Sequence, residues 1–186
     1  MELLQHLKCS GGDSLELVFV NQYFCFNSLQ LMENISVTRD NYLITTDKAH
    51  LNLHAVHQYL SKESYWSRGI PFETVKKAAQ HSLTFIVLCG EKQVGYARII
   101  SDYTIFAYLG DVYILEAHRG QGLSKWLMET IMEHPELQGL RRWILATSDA
   151  HGLYAQYGWK AVANPAIWME VHNPDPYGMT NSSNDE

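Results

Sequence analysis

Asp111-Val-Tyr-Ile-Leu-Glu-Ala-His-Arg-Gly-Gln-Gly-Leu-Ser124 carries three local signals in succession. Its first half is apolar and rich in β-formers, and it reads as a strand. Its second half, Arg119-Gly-Gln-Gly-Leu-Ser124, is a short turn bearing two glycines. From Gly122 to His134 a helix follows, with Leu123, Trp126, Leu127, Thr130 and Ile131 on one face and Pro135 at its end. A strand that feeds a glycine turn and then a helix N-terminus suits a phosphate. The first N–H groups of the helix have no partner, its dipole favours an anion, and glycine lets the ligand approach the backbone.

Two nucleotide-binding patterns are excluded by spacing. A P-loop needs G-x-x-x-x-G-K-[ST], which Gly120, Gly122, Ser124 and Lys125 do not supply. A dinucleotide fingerprint needs a third glycine, and Lys125 stands there instead. The pattern that fits is R-x-x-G-x-[small], filled by Arg119, Gly122 and Ser124. Arg119-Gly-Gln-Gly122 resembles the pyrophosphate loop of the GNAT superfamily of N-acetyltransferases, with Ser124 where Gly or Ala is usual. On its own the turn equally suits a plain strand-to-helix connection. A second block downstream separates the two readings. Arg142-Trp-Ile-Leu-Ala-Thr147 reads as a short buried strand. Leu153-Tyr-Ala-Gln-Tyr-Gly-Trp159 is similar to the superfamily's (L/F)-Y-x-x-x-G-(F/W) element. The region Arg98 to Tyr154 also resembles a bacterial-type branch of small acetyltransferases, through Phe106-Ala-Tyr-Leu109, His118-Arg-Gly-Gln-Gly-Leu123 and Asp149-Ala-His-Gly-Leu-Tyr154.

Working outward, the first strand is Ile35–Thr38 or Tyr42–Thr45. Asp47 is a fair N-cap for a helix from Lys48 to Leu60, and a second helix follows Pro71. Leu83–Leu88 and Gln93–Ile100 read as a hairpin around Gly90-Glu-Lys92, and Ile105–Ile114 as the next strand. Further strands are expected near Trp159–Ala163 and Ile167–His172. The order β-α-α-β-β-β-α-β-α-β-β matches the α/β GNAT fold. That resemblance implies a mixed, mostly antiparallel sheet, splayed between the fourth and fifth strands and flanked by about four helices.

The resemblance also implies a chemistry, with acetyl-CoA as co-substrate. Arg119, Gly120, Gln121, Gly122, Leu123 and Ser124 would hold its pyrophosphate. Ile114 and Glu116 would pair with the pantetheine amides along the splayed edge. A backbone N–H near Ile114 or Leu115 would face the thioester oxygen. Tyr154 matches the tyrosine that points at the CoA sulfur and is the expected general acid. The amine needs a base, and Asp111, a lone carboxylate in an apolar strand, is the first candidate. Glu73 and Asp149 are the runners-up, Asp149 serving equally well as a helix cap. Tyr65, Trp66, Tyr108 and Phe106 are candidate walls for the acceptor, with Glu73 beside them.

The acceptor is expected to be a primary amine of a small molecule or peptide. The alternatives are a non-catalytic acyl-CoA-binding module and a regulatory subunit. A net charge of −6 without a Lys/Arg cluster argues against nucleic acid as partner. No run approaches the roughly 20 apolar residues of a membrane span, and Met1-Glu2 lacks the basic start of a signal peptide. A cytoplasmic protein is expected, and a homodimer stays open. Cys9, Cys25 and Cys89 form no zinc or redox motif. His50, His54 and His57 share a helical face without the H-E-x-x-H pattern, so no metal is expected.

The 186 residues, 46% of them hydrophobic, suit one domain with a substantial core. The GNAT-like domain is expected over 32–178, with a disordered polar tail at 179–186. Residues 1–31 do not resemble the family. They read as an appended segment ahead of an internal start at Met32, or as an extra strand through Leu15–Val20.

Overall fold

The computed structural model describes residues 33–177. The expectations for 1–31 and 179–186 lie outside the described residues. Both candidate first strands form. β1 (Ser36–Arg39) and β2 (Tyr42–Thr45) make a hairpin that reverses at Asp40, with φ of 53°. Aspartate is one of the few residues that visits this left-handed region at modest cost.

Asp47 caps only a single 3₁₀ turn, Lys48–His50, through its side chain and the Ala49 N–H. The helix proper, α1 (Leu53–Lys62), starts under a second cap. There Asn52 Oδ1 accepts from the Ala55 N–H at 3.0 Å. The single helix expected from Lys48 is thus divided, because two caps lie five residues apart. α2 (Phe72–Gln80) follows Pro71. Lys48 Nζ donates to the Ala79 and Gln80 carbonyls at its end, at 2.9 and 3.1 Å, where a cation suits the helix dipole.

β3 (Leu83–Cys89), β4 (Lys92–Ser101) and β5 (Phe106–Ile114) complete an antiparallel run with β1 and β2. α3 (Leu123–Met132), β6 (Arg142–Ile144) and α4 (His151–Ala155) follow, and β6 joins β5 in parallel. The sheet order is β1-β2-β3-β4-β5-β6. α1 and α2 pack on one face through Val56, Leu60, Ile70, Val75, Tyr96 and Tyr113. α3 packs on the other through Leu123, Leu127, Met128 and Ile131, against Phe85, Val87, Ala97 and Leu109. Buried side chains of this size each stabilise by about 1.5–3 kcal/mol, so α3 is anchored well below the loop that precedes it.

The expected strands at Trp159–Ala163 and Ile167–His172 do not form. Residues 160–174 are exposed, and a 3₁₀ turn, Pro165–Ile167, occupies their middle. Strand propensity needs a partner edge to act on, and Pro165 has no N–H to give to a ladder. Trp159 itself packs on the core beside Tyr154 and Trp143.

Candidate active site

β5 and β6 pair only at Phe106–Arg142, Ala107–Trp143 and Tyr108–Ile144. From Leu109 onward β5 has no neighbouring strand on that side among the described residues, so the sheet parts. A cleft of about 660 Å³ opens there, lined by Asp111, Ile114, Arg119, Ser124 and Tyr154, with Tyr65, Trp66 and Tyr108 on its walls. This size is typical of a small-molecule site.

The opposite edge of β5 pairs with β4 through a bulge. Tyr96 faces Tyr113 and Arg98 faces Gly110, so two steps on β4 span three on β5. The extra residue places Asp111 in the left-handed region, with φ of 54°. Arg98 Nε donates to Asp111 Oδ2, and Trp66 Nε1 donates to Oδ1 at 3.1 Å. The carboxylate is mostly buried and thereby fixed from two sides. Across the cleft, the Tyr65 hydroxyl donates to Asp149 Oδ1 at 3.2 Å and accepts from the Ser148 N–H at 3.1 Å. These contacts tie the α1–α2 loop to the loop before α4.

Beyond β5 the chain makes a 3₁₀ turn at Glu116–His118 and then the glycine turn. Gly120 and Gly122 have φ of 76° and 75°, values that side-chain-bearing residues seldom adopt. Gly122 is the N-cap of α3 and has no side chain to occupy the first N–H groups. The earliest backbone bond of the helix runs from the Trp126 N–H to the Gly122 carbonyl at 3.0 Å. The N–H groups of Leu123, Ser124 and Lys125 thus lie ahead of the helical ladder, the arrangement that binds anions. Arg119 turns back from the loop. Its Nε donates to the Ile114 carbonyl at 3.0 Å and its Nη2 to the Tyr59 hydroxyl at 3.3 Å. The Tyr42 hydroxyl donates to Gln121 Oε1 at 3.0 Å, bracing the turn from β2.

At the end of β5 the Leu115 N–H donates to the Val94 carbonyl at 2.8 Å. It is therefore committed to β4 and is turned away from the open edge of β5, unlike the second expected position, Ile114. The alternation of an antiparallel ladder turns the Ile114 N–H the other way, toward the open edge. Tyr154, on α4, is 8% exposed and reaches the cleft. Burial pushes its phenol up to about 12, helped by Tyr65, Asp149 and Tyr108, so it keeps its proton at neutral pH.

A parted sheet, the uncapped start of α3 and a buried phenol meet in one cleft. The profile of the Acetyltransferase (GNAT) family matches residues 53–159. The chain belongs to the GNAT family. It is an acyltransferase. A Gibberella zeae protein, FG08082, assigned by name as an acetyltransferase, is 33% identical over 141 residues, 64% of this chain and 78% of that one. A GNAT-family protein of known structure from Xanthomonas campestris is 47% identical, with a TM-score of 0.73 over 75% of this chain and 99% of that one. A Staphylococcus aureus protein shares the fold at 19% identity, with a TM-score of 0.59 over 71% and 99% of the two chains.

In this GNAT chain the cleft gathers Asp111, Ile114, Arg119, Ser124, Tyr154, Tyr65, Trp66 and Tyr108. Gly120, Gln121 and Gly122 are exposed on the turn, Leu123 is buried at the start of α3, and Glu116 is exposed. Leu115 lies outside the cleft lining and borders a shallow groove with Gln93 and Tyr113. Glu73 is not brought to the cleft. It is exposed on α2 and paired with Lys76 at 3.4 Å. Phe106 sits at the closed end of the splay, outside the cleft lining. His54 and His57 stack on and abut Phe72. Among the described residues no group of three or more His, Cys, Asp or Glu is arranged to hold a metal. No helix among them is long and apolar enough to cross a membrane. Arg98 and Tyr59 also line the cleft and were not foreseen. Arg98 had a signal: it is a lone charge in an apolar strand, as Asp111 is, and of opposite sign.

Proposed function

We propose that this acetyltransferase carries the acetyl group of acetyl-CoA directly to a primary amine held against Asp111. The observation that carries the reading is the shared cleft. It sets a buried, protonated Tyr154 across from the open Ile114 edge and beside the start of α3.

Two features support the co-substrate. The N–H groups at the start of α3 have no side-chain cap, which suits a pyrophosphate. Among the described residues the edge of β5 from Leu109 to Ile114 lacks a strand partner, which suits the amides of a pantetheine arm. Arg119 serves this site from behind. By gripping the Ile114 carbonyl it fixes the end of β5 against the turn.

The residues then divide the work. The Ile114 N–H donates to the carbonyl oxygen as the amine attacks and charge builds there. Asp111 takes the proton lost by the amine, directly or through a water. Tyr154 gives its proton to the departing thiolate. Trp66 and Arg98 hold Asp111 in place, and Tyr65 and Tyr108 wall the acceptor.

The test is thiol release from acetyl-CoA against a panel of amines, amino acids, polyamines and peptides, with acetylated product identified by mass. Turnover with an amine and formation of its amide support the reading. Tight acetyl-CoA binding with no transfer to any member would favour a binding module instead.

A further inference from the structure

Tyr65 and Trp66 follow one another in the α1–α2 loop, and each holds a different carboxylate of the cleft. Trp66 Nε1 donates to Asp111 Oδ1 at 3.1 Å, and the Tyr65 hydroxyl donates to Asp149 Oδ1 at 3.2 Å. Their rings meet edge to face, with centroids 4.9 Å apart. One aromatic pair thus bridges two acids, and all four residues line the same cleft.

The two acids differ in charge balance. Asp111 is mostly buried and paired with Arg98. Asp149 is exposed, and among the described residues no cation forms an ion pair with it. Nor does it cap α4, the role that its position ahead of the helix suggests. The N-cap is Ala150, without a side-chain bond, and the Ala150 N–H donates to Thr147 Oγ1 at 3.1 Å. The hydrogen bonds to Asp149 come from the Tyr65 and Thr147 hydroxyls, which are neutral and leave its charge uncompensated. Beside it, Tyr65 and Trp66 are 55% and 40% exposed. Open aromatic rings next to an unbalanced carboxylate attract an organic cation, the rings through their quadrupole and the acid through a charged hydrogen bond.

The reacting amine gives up its proton, so a cation held at Asp149 is a second group on the acceptor. We infer that the acceptor is a diamine: one amine reacts at Asp111, and the other stays protonated against Asp149 and the Tyr65 and Trp66 rings. This rests on the reading of Asp111 as the residue that receives the reacting amine. Asp149 is then a specificity-determining residue and not a base. A monoamine leaves it unpaired, and an amino acid of the same length sets a carboxylate against it.

Straight-chain diamines of three to six carbons are the probe, used with the full chain. Each is compared with the monoamine, amino alcohol and amino acid of the same length, with transfer read by thiol release. The best diamine should exceed its matched amino alcohol at least tenfold in kcat/KM, and the amino acid by more. Salt should erode that preference, because Asp149 is exposed. Asp149→Asn keeps an oxygen for the Tyr65 hydroxyl and removes the charge. It should lower the ratio of kcat/KM for the diamine over the monoamine at least tenfold, chiefly through the KM of the diamine. Asp149→Glu, which keeps the charge, should retain a preference for diamines. A wild type that acetylates monoamines or amino alcohols as well as diamines overturns the inference and leaves transfer intact. An equal loss for diamine and monoamine in Asp149→Asn overturns it too, since a structural role would give that result. A wild type that binds acetyl-CoA and transfers to no amine of any kind removes the acceptor reading itself, and this inference with it.

Discussion

Arg98 and Asp111 meet across the bulge that joins β4 to β5, with Arg98 Nε donating to Asp111 Oδ2. The pair is possible because the bulge turns Asp111 out of the strand's alternation, at φ of 54°. Trp66 then closes on the other oxygen from the α1–α2 loop. One irregularity in a ladder thus places a carboxylate on the cleft wall and supplies the partners that hold it there.

Replacing Asp111 should separate its chemical role from its structural one. Asparagine tolerates the left-handed backbone and can still accept from Trp66, so Asp111→Asn should fold. It leaves the Arg98 charge without a counterion, at a cost of about 1–3 kcal/mol. Asp111→Ala adds backbone strain and should melt lower still. If Asp111 also takes the amine proton, Asp111→Asn should lower kcat at least a hundredfold, most at low pH where the amine is protonated. Melting temperature and kcat measured on both variants test this. A variant that melts lower but turns over at the wild-type rate would confine Asp111 to structure.

The glycine turn should fail for a reason other than space. A Cβ at Gly122 would meet only Arg39 Nη2, at 3.8 Å, which is ordinary contact. The backbone at φ of 75° is the obstacle, and Gly122→Ala should cost about 1–2 kcal/mol. Gly122→Asp adds a carboxylate where the pyrophosphate is proposed to sit, and acetyl-CoA affinity should drop more than tenfold beyond the alanine variant. Calorimetry on the two variants makes the comparison. Equal affinities would move the pyrophosphate elsewhere.

The strand-turn-helix unit was legible because each part leaves its own mark: β-formers, two glycines at fixed offsets, and apolar spacing along α3. The placement of Tyr154 at the cleft was legible through the residues around it. The bulge was not. Gly110 inside the strand is a weak mark of an irregularity, but which residue is extra emerges only when β4 and β5 pair. The same pairing commits the Leu115 N–H to Val94 and frees that of Ile114. The two last strands were misread for a related reason. Ile167, Met169 and Val171 have strand-like side chains, but among the described residues they pair with no strand of the sheet and remain exposed. The hairpin of β1 and β2 resolved the opposite way, since each found the other.

Four tyrosines of the core and cleft should make the protein sensitive to alkali. Burial raises Tyr59, Tyr96, Tyr113 and Tyr154 above the ordinary 10.0, Tyr154 to about 12. Above pH 10 the unfolded chain releases these protons before the folded one does. The folded state then binds more protons, so stability falls as pH rises from 10 toward 12 and is unaffected by these groups below 10. Melting temperature should decline over that window, and the tyrosinate absorbance of the folded protein should lag that of the denatured chain. Coincident titrations of the folded and denatured protein would contradict the burial argument.

Tyr154→Phe bears on the mechanism most directly. The variant keeps the ring among Leu153, Trp159 and the cleft wall and removes only the hydroxyl. If that hydroxyl protonates the departing thiolate, kcat should fall by roughly 10²–10⁴ while acetyl-CoA affinity stays within about twofold. The pH profile gives a second handle. With the phenol pushed up to about 12, wild-type rate should show no descending limb from Tyr154 between pH 7 and 10, because the acid form is fully populated there. A tyrosine present only for packing predicts instead a lower melting temperature and an unchanged kcat. A thiol leaving group of low pKa tightens the comparison, since it departs without help. Acetyl transfer from such a thioester should be nearly equal in wild type and Tyr154→Phe, whereas transfer from acetyl-CoA should not. Equal losses with both donors would mean that the hydroxyl acts before the thiolate leaves, and would take the general-acid role from Tyr154.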